Sequence, residues 1–245
     1  KINMREAVNA YMIKPDPFIQ FGTDHIVGMA ISLLLWIWLP LLAKKHLSAK
    51  NQDTLGLLLG CLVMSNYLVW VILELIAGSF NIKLHLPFHL CRFANLAVPF
   101  LMLWKKEKLF QILYYWTMSG MLQAAITPDA THGFPHFHYF RFFIGHQGMI
   151  LVLIYFIVVF EVKPTLKGLK ASFIALNGFL LFATLINLIL DSNYFWISGK
   201  PPTASLLDYL GPWPWYILVA EFVALLHFFG AYAPFYYFYE RKKNV

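Results

Sequence analysis

Residues 85–95 read H-L-P-F-H-L-C-R-F-A-N and set two histidines, a cysteine, an arginine and an asparagine close together. A thiol near a helix N-terminus and beside an arginine ionises more readily, which makes Cys91 a nucleophile candidate; burial among apolar groups works against this. A buried cysteine acting as a small hydrophobe is the competing reading. Pro87 fits the first turn of a helix. On such a helix Asn95 shares the face of Cys91, four residues on, whereas His89, two residues back, points to the opposite face. A general base for Cys91 must then come from another segment. His146, in R-F-F-I-G-H-Q-G (141–148), has a similar depth and Gly145 beside it for close helix approach. A cysteine activated by a histidine is an acyl-transfer arrangement; a hydrogen-bonded packing histidine is the alternative.

Nine histidines raise a second chemistry. His85 and His89 form H-x-x-x-H, a spacing that places two zinc ligands on one helix face. His132, His136 and His138 crowd a later loop. A zinc-dependent hydrolase using His85, His89 and His136 is therefore an alternative, although spacing assigns no third ligand by itself. Cys61 has no ionisable neighbour in the sequence and reads as core. It lies near the opposite face from Cys91, too far for a disulfide.

The elements that must position these residues follow from composition. The chain has 245 residues, 60% hydrophobic and 13% charged, against about 45–50% and about 25% in soluble domains. This excludes a disordered chain, a disulfide scaffold and a nucleic-acid module. Seven stretches approach the roughly 20 apolar residues that a bilayer requires: about 25–43, 55–78, 86–104, 109–127, 139–160, 169–190 and 214–237. The expected fold is all-α, a single polytopic seven-transmembrane-helix bundle over residues 1–245. Residues 1–21 hold no apolar run, so no cleavable signal peptide is expected. Twelve lysines and arginines, among them Lys44, Lys105, Lys163 and Arg241, fall after spans one, three, five and seven, and five on the opposite side. The positive-inside rule then puts the N-terminus outside and the C-terminus in the cytoplasm, and assigns the net charge of +7 to topology rather than to an anionic partner. The longer loops, 127–138 and 191–216, are rich in Pro, Gly and Trp and are expected outside.

A charge at mid-bilayer costs about 2.5–3.5 kcal/mol or more, so ionisable groups inside spans are functional candidates. Asp24 and His25 open span one, Glu74 lies near the outer end of span two, and Gln123 ends span four. Arg141 and His146 enter on span five, Asn187 and Asp191 close span six, and Glu221 lies about two turns into span seven. Together with His89, Arg92 and Asn95 they fall in one outer depth band, whereas Asn66 belongs to the inner half. The expectation is a shared pocket in which Glu74 and Glu221 balance Arg92 and Arg141, with Asn95, Gln123 or His89 as oxyanion donors. Separate buried pairs, or a transporter or receptor-like binder using the same pocket, are the alternatives. No internal duplication of the transporter kind is visible.

Three longer motifs carry a resemblance: H-L-P-F-H-L-C (85–91), T-P-D with G-F-P-H-F-x-Y-F-R-F-F-I-G-H (127–146), and S-N-Y with K-P-P-T-A-S-L-L-D-Y-L-G-P-W-P-W-Y (192–216). With F-G-T-D-H-I (21–26), the chain resembles the bacterial YwaF-type integral membrane proteins, related to transmembrane protein 164, a membrane acyltransferase of animals. The resemblance implies a Cys–His pair that moves acyl chains between phospholipids through a thioester, with Cys91 as nucleophile and His146 as base. It implies phospholipid and lysophospholipid as partners, no cofactor, and a bacterial plasma membrane. The polyunsaturated and ether-lipid preference of the animal enzymes is not carried over.

Overall fold

The computed structural model describes residues 3–14, 17–128, 130–202 and 205–240. Lys1, Asp129, Thr203, Ala204 and the basic cluster Arg241, Lys242 and Lys243 lie outside the described residues. Among the described residues the regular structure is helical, with an isolated bridge between Pro17 and His132. The helices are α1 (Met4–Met12), α2 (Thr23–His46), α3 (Ala49–Ala77), α4 (Leu90–Trp104), α5 (Glu107–Trp116), α6 (Leu122–Ile126), α7 (Phe137–Phe160), α8 (Leu166–Leu190) and α9 (Trp215–Phe235).

Local chemistry sets many of the ends. Asn3 and Glu6 form a reciprocal capping box that starts α1, satisfying two N–H groups that the helix cannot. Ser48 caps α3, and Thr165 Oγ1 accepts from Gly168 N at 2.9 Å to cap α8. At the far end of α3, Gly78 adopts φ 75° and turns the chain back onto the last carbonyls, a left-handed step that glycine takes without a Cβ penalty.

Five helical stretches are long and apolar enough to cross a membrane: Thr23–His46, Ala49–Ala77, Phe137–Phe160, Leu166–Leu190 and Trp215–Tyr239. Each coincides with a span expected from the sequence. The other two expected spans differ in form. The third begins at Leu90, not 86, so Pro87 precedes the helix rather than opening it. Residues 81–89 fold instead into turns, fixed by Asn81 N donating to His85 Nδ1 (2.7 Å), His85 N to Asn81 O (2.9 Å) and Leu86 N to the Tyr194 hydroxyl (3.0 Å). The 15 residues of α4 therefore reach only about 22 Å. The fourth is α5 and α6 joined through a π-helical turn, Thr117–Met121, a bulge that locally widens the helix.

In lipid the helices gain little from excluding apolar surface, so close packing and interhelical hydrogen bonds hold them. Helix α7 is the most enclosed span and packs on α2, α3, α4 and α6. Its Met149, Val152, Leu153, Tyr155 and Phe156 are fully buried. Gly60 of α3 sits against the Pro99 backbone of α4, where an added Cβ would approach to 3.1 Å. Polar stitches cross the bundle: Trp36 Nε1 donates to Gln147 O (2.9 Å), Tyr155 Oη to Gln52 O (2.7 Å), and Trp116 Nε1 to Ser172 O (3.2 Å). Leu33, Leu34, Trp38, Leu185, Leu188 and Phe222 face outward, as lipid-facing side chains do.

Candidate functional site

Where α3 stops and α4 and α7 start, a cavity of ≈ 150 Å³ opens between the helices. Cys91 and His146 both line it, with Asn66, Tyr67, Trp70, His89, Arg92, Asn95, Arg141, Phe142, Gly145 and Trp196. Cys91 is the second residue of α4 and, like Cys61, is not in a disulfide. An α-helix cannot use its own first N–H groups, and they carry the positive end of its dipole. The N-cap residue His89 supplies no side-chain cap to them.

His146 comes from the middle of α7. Its Nδ1 meets the Phe142 carbonyl at 3.0 Å, and its ring stacks on that of Phe142. A carbonyl only accepts, so the proton sits on Nδ1 and Nε2 carries the lone pair, the tautomer a general base requires. Gly145 makes room for this. A Cβ there would lie 3.0 Å from the amide ends of both Asn66 and Asn95, so the close approach expected of the glycine is what brings three helices together.

Asn95 is positioned differently from the expectation that it serves the oxyanion. With its amide nitrogen as donor it bonds Gly145 O (3.0 Å) and Cys91 O (3.2 Å). One N–H joins α4 to Gly145 of α7, and the other turns back to the carbonyl of Cys91 on its own helix. Asn66, placed in the inner half by sequence depth, lines the cavity and donates to Arg141 O at 2.9 Å. His89 does not point away from Cys91: with α4 starting at Leu90 it lies before the helix, in extended backbone, and lines the same wall against Trp196 (ring centroids 5.0 Å). A helix running from 86 would have turned His89 away, but the chain becomes helical only at Leu90.

Trp196 and Trp70 are cavity residues that sequence reasoning missed, since tryptophan in a span or an outer loop reads as an interfacial anchor. The positive φ of Phe195 (60°) and Trp196 (56°) is uncommon for bulky residues and marks stored strain. Asn187 holds this turn by accepting from Tyr194 N (2.7 Å) and donating to Tyr194 O (2.9 Å).

Four expected pocket residues are not among those lining the cavity. Gln123 Nε2 donates to Thr127 Oγ1 at the end of α6 (2.9 Å). Glu221 accepts from Asn177 of α8 (3.0 Å). His25 is fully buried, with Nδ1 accepting from Phe21 N (3.0 Å) and Nε2 against Ala125 O (3.3 Å). Glu74 stands behind the wall, bonded to Trp70 Nε1 (2.8 Å) and Ser79 Oγ.

The sequence of the TMEM164 family matches this chain over residues 20–232, nearly all of the helical bundle. The chain belongs to the TMEM164 family. A protein of Treponema pallidum (strain Nichols) described as an uncharacterized protein is 25% identical over 224 residues, which covers 89% of this chain and 90% of that protein. No solved structure matches this member of the family. The match takes in every element that contributes to the cavity, including the loops bearing His89 and Trp196.

The histidines of this TMEM164-family chain do not converge as the zinc alternative required. His85 and His89 sit on turns rather than one helix face, and His136 belongs elsewhere. The His85 Nδ1 accepts from Asn81 N, so Nε2 bears the proton, which faces Glu74 Oε1 at 3.9 Å. Burial lowers the His85 pKa, with Glu74 opposing and Arg92 and Arg141 adding to the fall. His136 instead joins His132 and His138, their ligand atoms all within 4.8 Å. Yet His136 Nδ1 already accepts from His138 N (3.1 Å) as the α7 cap, and Nε2 meets Tyr11 O (2.9 Å). A metal on His136 would have to break that cap or release Tyr11.

Proposed function

We propose that this TMEM164-family chain is an intramembrane phospholipid transacylase in which Cys91 and His146 act as nucleophile and base. It crosses a bacterial plasma membrane seven times with its N-terminus outside. The observation that supports this is the convergence of a thiol at the start of α4 and an Nε2-basic imidazole of α7 on one cavity. The two residues lie 55 positions apart in the sequence and come to one cavity where α7 packs on α4.

In the first half-reaction His146 Nε2 takes the Cys91 thiol proton, and the sulfur attacks the ester carbonyl carbon of a phospholipid. The negative charge that develops on the carbonyl oxygen falls beside the first N–H groups of α4, with His89 on the same wall. The carbon–oxygen ester bond breaks, and the lysophospholipid oxygen leaves with the proton held by His146. A thioester remains on Cys91. In the second half, the hydroxyl of an acceptor lysolipid gives its proton to His146 and attacks the thioester, and the thiolate departs and recovers the proton. Water in place of the acceptor makes the same steps a hydrolysis.

Intact-protein mass spectrometry after incubation with phospholipid is expected to show an acyl adduct on Cys91 that hydroxylamine removes. Cys91→Ala should abolish both adduct and transfer. His146→Ala should lower transfer about a hundredfold or more. Transfer of labelled acyl chains at the wild-type rate by either folded variant would refute the scheme.

A further inference from the structure

Three histidines that do not line the Cys91 cavity gather where the loop before α7 meets the N-terminal segment. His132, His136 and His138 each bring a ring nitrogen within 4.8 Å of the other two. Their ring centroids lie 4.1 Å (His132 to His136), 4.9 Å (His132 to His138) and 5.1 Å (His136 to His138) apart. Zn–N bonds of about 2.0–2.1 Å in a tetrahedral arrangement put the rings of two ligands about 5 Å apart. Two of the three pairs meet that spacing. The third, stacked face to face, has to open by about 1 Å through side-chain rotation.

The ring nitrogens are sorted for ligation. His136 Nδ1 accepts from His138 N (3.1 Å), so Nε2 carries the proton and donates it to Tyr11 O (2.9 Å). A metal-ligating histidine characteristically gives its other N–H to such a carbonyl, which fixes the ring and raises its basicity. His138 Nδ1 is buried and has no hydrogen-bond partner, a costly state for an imidazole nitrogen that a metal bond would end. Thr131 Oγ1 stands 2.8 Å from His132 Nδ1 and can accept its proton, the tautomer that puts the lone pair on Nε2. A metal on His136 Nδ1 takes the cap from His138 N. Phe137 N still keeps the Tyr11 hydroxyl as its acceptor (2.8 Å), so the start of α7 is not left uncapped.

We propose that His132, His136 and His138 form a structural site for a late first-row divalent cation, with zinc the best match, that clasps the N-terminal segment to the start of α7. Three imidazoles, with no carboxylate in the group among the described residues, suit zinc, copper or nickel and not the oxygen-seeking calcium and magnesium. Neutral rings bind through their lone pairs, so the site weakens in acid as they protonate. His136 holds Tyr11 by its carbonyl and by ring stacking (centroids 4.7 Å), and His132 pairs with Pro17. Tyr11 belongs to α1, whose Val8 and Met12 pack with the cavity residues Tyr67 and Trp70. A bound cation therefore fixes the helix packed behind that wall. The site is separate from Cys91 and independent of whether acyl transfer occurs.

The test uses the full chain in maltoside micelles, purified without a polyhistidine tag and stripped of metal by a chelator. Titration with zinc against a chromophoric chelator is expected to show about one zinc per chain at micromolar affinity or tighter. His132→Gln and His138→Gln should each weaken it about tenfold or more. His138→Gln should keep the zinc-free unfolding midpoint near wild type, since Nδ1 of His138 gives up no hydrogen bond. Zinc should raise the midpoint of the wild type saturably and leave that of His138→Gln unmoved. In the wild type alone it should slow amide hydrogen exchange across α1, Met4–Met12. His85→Gln and Cys91→Ala should bind zinc as the wild type does. Loss of binding in either would put the metal at the Cys91 cavity and overturn the proposal. So would the absence of binding at micromolar free zinc, equal affinity in wild type and His138→Gln, or sulfur in the zinc X-ray absorption shell. Unchanged exchange of α1 at zinc saturation would overturn the clasp.

Discussion

At the scale of single residues, the site depends on which nitrogen or amide each side chain has already committed. His146 is basic toward the cavity because Phe142 O holds its other nitrogen, and Asn95 is a tie rather than a donor because Gly145 O and Cys91 O use both of its N–H groups. His85 is a buried support whose protonation the fold resists. Its folded pKa lies below the unfolded value near 6.5, so its contribution to stability is present above that value and is lost as pH falls through the folded one. The unfolding midpoint in detergent should therefore drop between pH 7 and pH 5, and His85→Gln, which keeps an acceptor for Asn81 N, should show a smaller drop. A variant falling as steeply as wild type would place the loss in other groups. Cys91, His146, Arg92 and Arg141 were legible as chemistry because thiol, imidazole and guanidinium are costly in an apolar span. Trp70 and Trp196 were not, because an indole is at home there whether or not it lines a site.

Among elements, the fit of α3, α4 and α7 decides whether the site exists. Gly60 allows α3 to meet the α4 backbone at Pro99, a partner that cannot step aside, whereas Gly178 of α8 has nothing within 4 Å of an added Cβ. Gly60→Val should cost about 1–3 kcal/mol and lower transfer activity, and Gly178→Val should leave the midpoint near wild type; thermal unfolding in detergent measures both. Equal midpoints would show that the α3–α4 contact is not tight. Five spans could be read from hydropathy because length and apolar composition suffice. The start of α4 could not. Residues 86–89 are as apolar as a helix turn, and what keeps them out is tertiary: Leu86 N binds the Tyr194 hydroxyl from the 191–216 loop, and Asn81 binds His85. The π-helical turn at Thr117–Met121 likewise leaves no mark in composition.

Across the whole molecule, charge and chemistry lie at opposite ends. Lys44, Lys105 and Lys163 flank the ends of α2, α4 and α7 that face away from the cavity, and the proposed topology, argued from the positive-inside rule, puts that end in the cytoplasm. In intact cells carrying otherwise cysteine-free protein, a membrane-impermeant maleimide should label Ser192→Cys and spare Lys167→Cys until the cells are opened; the reverse pattern would invert the proposed topology. The TMEM164-family match covers both ends, so this polarity is a property of the matched segment as a whole.

The brevity of α4 carries a consequence for the bilayer itself. A helix of about 22 Å cannot match a hydrocarbon layer of about 30 Å, and its short end is the one that bears Cys91. Lipids beside that end must thin or tilt to meet it, and the strain of doing so grows with chain length. On the proposed transacylase reading, such thinning would bring the ester of a neighbouring lipid toward the level of the thiol without lifting it out of its leaflet.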